Sequence, residues 1–278
     1  RQRAYRTGNP FIAFTLLLNE SALAVMRGHL QRAHDLNEEA LRLAKTASLE
    51  RLVFLPQLGL GRVNYFWNQL IQARQYITTA FEHADVVAYP NPTVRGYITL
   101  AWIQNAEGQY QQALQTLADA ERVALDRHAL EALEMVKGVR AQLQFSAGEN
   151  EAVTRWARSS DWETFDSSAR HGLILSDESF FPYCQILIAS GELPKVKRAE
   201  SLLAWRLKDS ELQRRESTIL KIRLVQALLH HAQNQPDIVM TSLLQALEIA
   251  MPENCIRPFL DEGQPLIPYL RRVPREHS

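Results

Sequence analysis

The sequence predicts an all-α protein built from helix-turn-helix units repeated along the chain, and three observations predict it. Apolar residues recur at three-and-four spacing over long stretches, as in Gly108–Ala124 (GQYQQALQTLADAERVA) and Asp237–Ala250 (DIVMTSLLQALEIA), the pattern of amphipathic helices. No segment alternates apolar and polar residues with hairpin signals of comparable strength. A Gly or Asn also returns at a nearly fixed interval, each time followed by a similar apolar pattern.

The repeat is read from these turn residues. Gly28, Asn68, Gly108, Gly148, Gly191 and Asn234 are separated by 40, 40, 40, 43 and 43 residues. Gly and Asn tolerate the left-handed conformation that ends a helix, so each is expected at the turn inside a helix pair. Five residues after the turn stand Ala33, Ala73, Ala113 and Val153, and seven further on stand Ala40, Ala80 and Ala120. Seven residues before it stand Ser21, Gly61, Ala101, Ala141, Cys184 and Ala227, all small enough to let two helices approach closely. An apolar row follows two positions on: Leu23, Val63, Ile103, Leu143, Ile186 and Leu229. In the fifth unit Ala199, in place of Val196, is expected to open the second helix, with three extra residues in the turn.

This grammar divides the chain. Residues 1–157 hold repeats one to four, and residues 180–251 hold repeats five and six. Between them the polar stretch 158–179, RSSDWETFDSSARHGLILSDES, reads as a linker or hinge. Residues 252–278 read as a C-terminal cap and the start of a further linker. The chain has no starting Met and no secretory signal, and is expected to be part of something longer.

Composition narrows the function. Lys plus Arg equals Asp plus Glu at 31 each, without the basic excess or basic block of a surface that grips nucleic acid. The apolar run Phe11–Leu18 is far too short to span a bilayer. Cys184 and Cys255 form no CxxC, which argues against a disulfide scaffold or structural zinc and fits a reducing cytoplasm. Catalytic candidates fare poorly. Cys184, with His171 nearby in sequence, falls on the small-residue packing row. His230 and His231 are adjacent and diverge on a helix, and the GLGR at Gly59 lacks a phosphate-loop sequence. No GxSxG or dinucleotide fingerprint occurs. The chain is therefore expected to be no enzyme and to hold no metal.

A binding surface can be counted instead. If the first helix of each pair lines an inner, concave wall, the rows expected to be exposed there can be counted, and the one six residues before each turn reads Ala22, Arg62, Trp102, Gln142, Gln185, Leu228. The row three before reads Val25, Tyr65, Asn105, Phe145, Ile188, His231. Over repeats two to four these rows bring Arg62, Tyr65, Trp102, Asn105, Gln142 and Phe145 onto neighbouring turns. Aromatic faces among hydrogen-bonding side chains suit a polar ring-containing ligand or a peptide. The competing reading is that they pack between repeats or meet solvent.

Gly-x-x-x-x-Ala at the turn with Ala seven further on resembles the tetratricopeptide family, which implies a right-handed superhelical solenoid. The period near 40 departs from that family's usual 34 and would also suit HEAT or armadillo repeats. The ending, ALEIAMPENCIRPFLDEGQPLIPYLRRV, resembles more narrowly the end of the repeat domain in large LuxR-type bacterial regulators of the MalT-like family. Arg257, Phe259, Leu260, Asp261, Glu262 and Gly263 match its Arg-x-Phe-Leu-Asp-Glu-Gly segment. RWARSSDWE from Arg155 and YCQILIASGEL from Tyr183 are similar to its repeat region. Asp261 and Glu262 are accordingly expected to be structural, before a helical turn that Pro265 can open.

The resemblance implies a cytoplasmic signal-sensing domain. It would take up a small-molecule inducer or a regulatory protein and help control self-association and transcription activation. ATP would bind only to an NTPase domain upstream, and DNA only through a helix-turn-helix downstream. The alternative is a scaffold that holds a partner helix or extended peptide and no small molecule. An enzyme on an α-helical toroid ranks far below both.

Overall fold

The computed structural model describes residues 8–83, 89–165 and 176–273, and every regular element among them is helical. The chain forms two compact units, residues 1–129 with 253–257 and residues 130–252 with 258–278.

The first unit holds three helix pairs: α1 (Pro10–Met26) with α2 (Leu30–Thr46), α3 (Phe54–Phe66) with α4 (Leu70–His83), and α5 (Pro90–Ala106) with α6 (Tyr110–Asp126). Asn9 caps α1, its side-chain oxygen accepting from the Phe11 and Ile12 amides at 3.0 and 3.4 Å, and Pro10 takes the first position, where no amide is needed. The second unit holds α7 (Leu130–Ser146), α8 (Asn150–Ser159), the short α9 (Asp161–Thr164), α10 (Asp177–Ala189), α11 (Leu193–Gln213), α12 (Glu216–Ala232), α13 (Pro236–Ala250), α14 (Arg257–Glu262) from its second residue on, and α15 (Ile267–Leu270). Of the stretch 158–179, Arg158 and Ser159 close α8 and Asp177–Ser179 open α10, while residues 166–175, His171 among them, lie outside the described residues.

All six expected turn residues have positive φ: 73° at Gly28, 59° at Asn68, 79° at Gly108 and Gly148, 65° at Gly191 and 57° at Asn234. At five of them the next amide reaches back five residues, as from Gln69 N–H to Asn64 C=O at 2.9 Å, closing the preceding helix. The same left-handed stop also ends second helices, where Ser48, His128 and Arg214 carry φ of 56°, 51° and 54° without being Gly or Asn.

The small row is buried throughout, from Ser21 to Ala227. Gly61 shows why: a methyl group there would stand 2.5 Å from the Ile77 side chain of its paired helix. Gly59 serves the neighbouring contact. It lies under Asn37 of α2, whose amide donates to Ser21 Oγ at 2.7 Å and Ala33 C=O at 2.9 Å. This polar group is satisfied inside the core, where an unpaired amide would cost about 1–3 kcal/mol.

Two expectations are corrected. The fifth turn has no extra residues: α11 starts at Leu193, as close behind Gly191 as Leu30 stands behind Gly28, and Val196 and Ala199 are both buried on it. The added length lies in the helix itself, which has 21 residues against 17 in α2. Leu23 is 49% exposed, although Val63 and Ile103 in the same row are sealed. Val63 shares its helix face with Gly59 and so points toward the preceding second helix; α1 has no earlier described helix on that side.

The second unit is centred on an aromatic cluster. Trp162 packs edge-on to Phe165 and Phe180 at 5.1 and 4.9 Å, and its indole N–H donates to Ser179 Oγ at 3.1 Å. Trp156 and Trp205 flank the cluster. Gly138 lets α10 cross α7, because a methyl group there would overlap the Glu178 carbonyl.

Candidate functional site

Two of the counted residues meet face to face. Tyr65 near the end of α3 stacks on Trp102 of α5, ring centres 5.6 Å apart and planes 17° from parallel. Both rings are buried, Tyr65 to 2% and Trp102 to 9% exposure, which corrects the expected exposure of these rows: stacked on each other, the two rings pack between repeats two and three. Arg62 and Asn105 are half-buried on the same two helices, and the Arg62 guanidinium lies 5.6 Å from the centre of the Phe66 ring. Gln142 and Phe145 are half-buried on α7 and belong to the second unit.

The counted rows did not foresee what else touches Tyr65. Residues 253–257 belong to the first unit and lie against the end of α3. The Glu253 carboxylate accepts from the Gln31 amide at 2.9 Å, in the first turn of α2. Its main-chain carbonyl accepts from the Trp67 indole N–H at 2.9 Å. The Ile256 amide donates to the Phe66 carbonyl at 3.0 Å. Arg257 donates to Asn68 Oδ1 at 3.0 Å and sets its guanidinium 5.5 Å from the centre of Tyr65. The Gln31 amide and the Phe66 carbonyl are end groups that their own helices leave unpaired, so the segment satisfies both.

In the second unit the rows also meet residues that follow the last repeat. Gln185, six before its turn, donates to the Glu262 carboxyl, and His231, three before its turn, lies 3.2 Å from the Tyr269 hydroxyl with the rings edge to face. Burial pushes the Glu262 carboxyl up to about 7, with Asp261 adding to the rise and Lys221 and the Gln185 bond opposing it. Asp261 and Glu262 end α14, and Pro265 stands in the 3-10 turn Gln264–Leu266.

Other titratable side chains join the helices of the second unit. Asp177 receives Arg206 at 2.6 Å and the Thr218 hydroxyl at 2.7 Å, drawing α10, α11 and α12 together. Burial drives its carboxyl up, but the Arg206 pair and bond, with Lys221 and Thr218, outweigh it and hold the carboxyl below the usual range. Burial pushes the Cys184 thiol far above its ordinary value, leaving no thiolate for attack. The Tyr183 phenol rises to about 12 by burial and by its 2.7 Å bond to Glu163. His230 Nδ1 is 2.9 Å from Gln235 Oε1. Among the described residues no group of three His, Cys, Asp or Glu side chains could hold a metal ion, and no helix is long and apolar enough to cross a membrane.

Paired helices with a small residue buried on each first helix among the described residues define a helical-repeat module of the tetratricopeptide kind. The family description that matches it is the MalT-like TPR region, over residues 2–276, and the chain belongs to that family. No curated relative matches it.

Proposed function

We propose that this chain is the signal-sensing domain of a cytoplasmic LuxR-type transcription regulator. It receives an inducer or a regulatory protein through the rows before each turn, chiefly Arg62, Tyr65, Trp102 and Asn105 of the first unit; Gln142 and Phe145 hold the same row positions in repeat four, within the second unit. The observation that carries this reading is the Tyr65–Trp102 stack with polar side chains beside it, in a chain of the MalT-like TPR family. Differential binding supplies the mechanism: to move a switch from 1:99 to 99:1, a signal must favour the active form by about 5.5 kcal/mol. In the regulator we propose, ATP and DNA are handled by other domains, and this domain supplies no catalytic residue.

The test is thermal unfolding of the domain against sugars, aromatic acids and other metabolites. A ligand at 100 times its Kd adds about 2.7 kcal/mol, a shift of several degrees. Trp102→Ala and Asn105→Ala, checked for helical content, should remove a saturable shift and the inducer response of the full regulator. An unchanged response in both would overturn the site. A second reading, a scaffold for a peptide or helix, is favoured by a specific observation: a stretch of the chain itself already lies against Tyr65, held partly through its main chain.

A further inference from the structure

We propose that the end of α3 and the start of α2 form a peptide-binding site whose resident occupant is Glu253–Arg257. A regulatory protein would bind there by displacing it with a short turn segment carrying a carboxylate four residues before an arginine. That segment would take the conformation of the resident one, which leaves the 3-10 turn Met251–Glu253 through a left-handed Asn254 (φ 51°). The proposal rests on the reading that the Tyr65 surface receives a signal, and names the chemistry of the partner.

The occupant is held as a bound peptide is held. Two of its bonds use main-chain atoms that any peptide has, the Glu253 carbonyl on the Trp67 indole and the Ile256 amide on the Phe66 carbonyl. Such bonds give affinity without sequence preference. Selectivity comes from the two side chains at its ends. The Glu253 carboxylate takes the Gln31 amide at a helix N-terminus, where negative charge is favoured, and lies 3.8 Å from His29 Nδ1. At the other end the Arg257 guanidinium combines the Asn68 side chain with the face of Tyr65. Lys could meet the ring or the amide, but its single ammonium is poorly shaped for both.

The site itself is built by the repeat. Asn68 holds the left-handed turn position, φ 59°, that Gly fills in four of the six turns, so its side chain adds a hydrogen-bonding group without altering the backbone. Trp67 beside it is oriented by the His34 ring, 5.3 Å away. Because the occupant is part of the same chain and is flanked by helices on both sides, it competes intramolecularly, without the translational loss a free peptide meets. A free peptide therefore meets a closed site, and a partner succeeds by additional contacts or by being held nearby.

The experiment uses the 278-residue chain and a synthetic peptide of residues 251–259 with its cysteine replaced by serine. Binding is read by anisotropy of a labelled peptide. The variant Glu253→Gln/Arg257→Gln, which weakens the resident segment, should bind the peptide at least tenfold more tightly than the unaltered chain. Adding Asn68→Ala and Trp67→Phe should abolish that gain, and a scrambled peptide should not bind. If the folded variant gains nothing, or if Asn68 and Trp67 prove irrelevant to the gain, the proposal is overturned. Should the variant fail to fold, hydrogen exchange at the Ile256 amide of the unaltered chain decides. Excess peptide should accelerate it at least tenfold, and no acceleration overturns the proposal. Peptide binding without any transcriptional effect in the full regulator would sink the sensing role of the Tyr65 surface while leaving this site standing.

Discussion

The guanidinium of Arg257 lies 5.5 Å from the centre of the Tyr65 ring, although 192 positions separate the two in sequence. Arg257 is 9% exposed and Tyr65 2%, so the pair is almost dry. A desolvated cation on an aromatic face contributes about 2 kcal/mol, against roughly 0.5–1 kcal/mol at an exposed site.

A double-mutant cycle measures that contact. Tyr65→Leu and Arg257→Ala should each lower stability in urea, and the double variant should lose about 1–2 kcal/mol less than the two losses added together. Strict additivity would show that the two side chains do not act on each other.

Asp177→Asn should be among the most damaging polar substitutions in the second unit. It removes the nearer of two carboxylates that face the Arg206 side chain, 5% exposed, and leaves Asp209 at 3.5 Å, a loss of about 1–3 kcal/mol. The pH dependence runs in the depressed-carboxylate direction. Because the folded state holds this carboxyl below its ordinary value, the contribution is present at neutral pH and is lost as pH falls below about 4 toward the folded pKa. Acid titration of the unfolding free energy should show this loss in the unaltered chain and not in the variant.

Glu262 behaves oppositely. Its folded carboxyl titrates near 7, above the ordinary value of about 4.3. Between those values the folded state binds the extra proton, so the contribution is full below the ordinary pKa and is lost as pH rises toward 7. Glu262→Gln should therefore gain in melting temperature relative to the unaltered chain from pH 5 to pH 8, the gap levelling above pH 7. A pH-independent gap would show that the carboxyl is not held neutral by the fold.

Glycine substitutions should separate two jobs. At Gly108, φ 79°, an added methyl group meets nothing, so Gly108→Ala costs only the left-handed backbone, about 1–2 kcal/mol. At Gly138 the methyl group meets main chain that cannot rotate aside, and Gly138→Ala should cost about 3 kcal/mol. Equal losses in chemical denaturation would contradict the crossing of α7 and α10.

The contrast marks how far the residues could be read. Gly28, Asn68 and their counterparts were legible because few residue types tolerate positive φ, and the small row because closely crossing helices exclude large side chains. The turns at Ser48, His128 and Arg214 were not legible, since nothing in those residue types announces a left-handed backbone. Counting three and six residues back from successive turns was enough to pair Tyr65 with Trp102.

The sequence by itself determined the helix pairs, their period and the crossing residues, because these rest on local backbone preference and on contacts between neighbouring repeats. Its C-terminal motif also marked the MalT-like resemblance. Only the tertiary structure decided that Glu253–Arg257 fills the end of α3, that Gln185 meets Glu262, and that Asp177 pairs with a buried Arg206. Those contacts join residues far apart in the chain, and their partners are fixed by where the backbone brings orphaned helix ends and buried charges together. No periodicity encodes that.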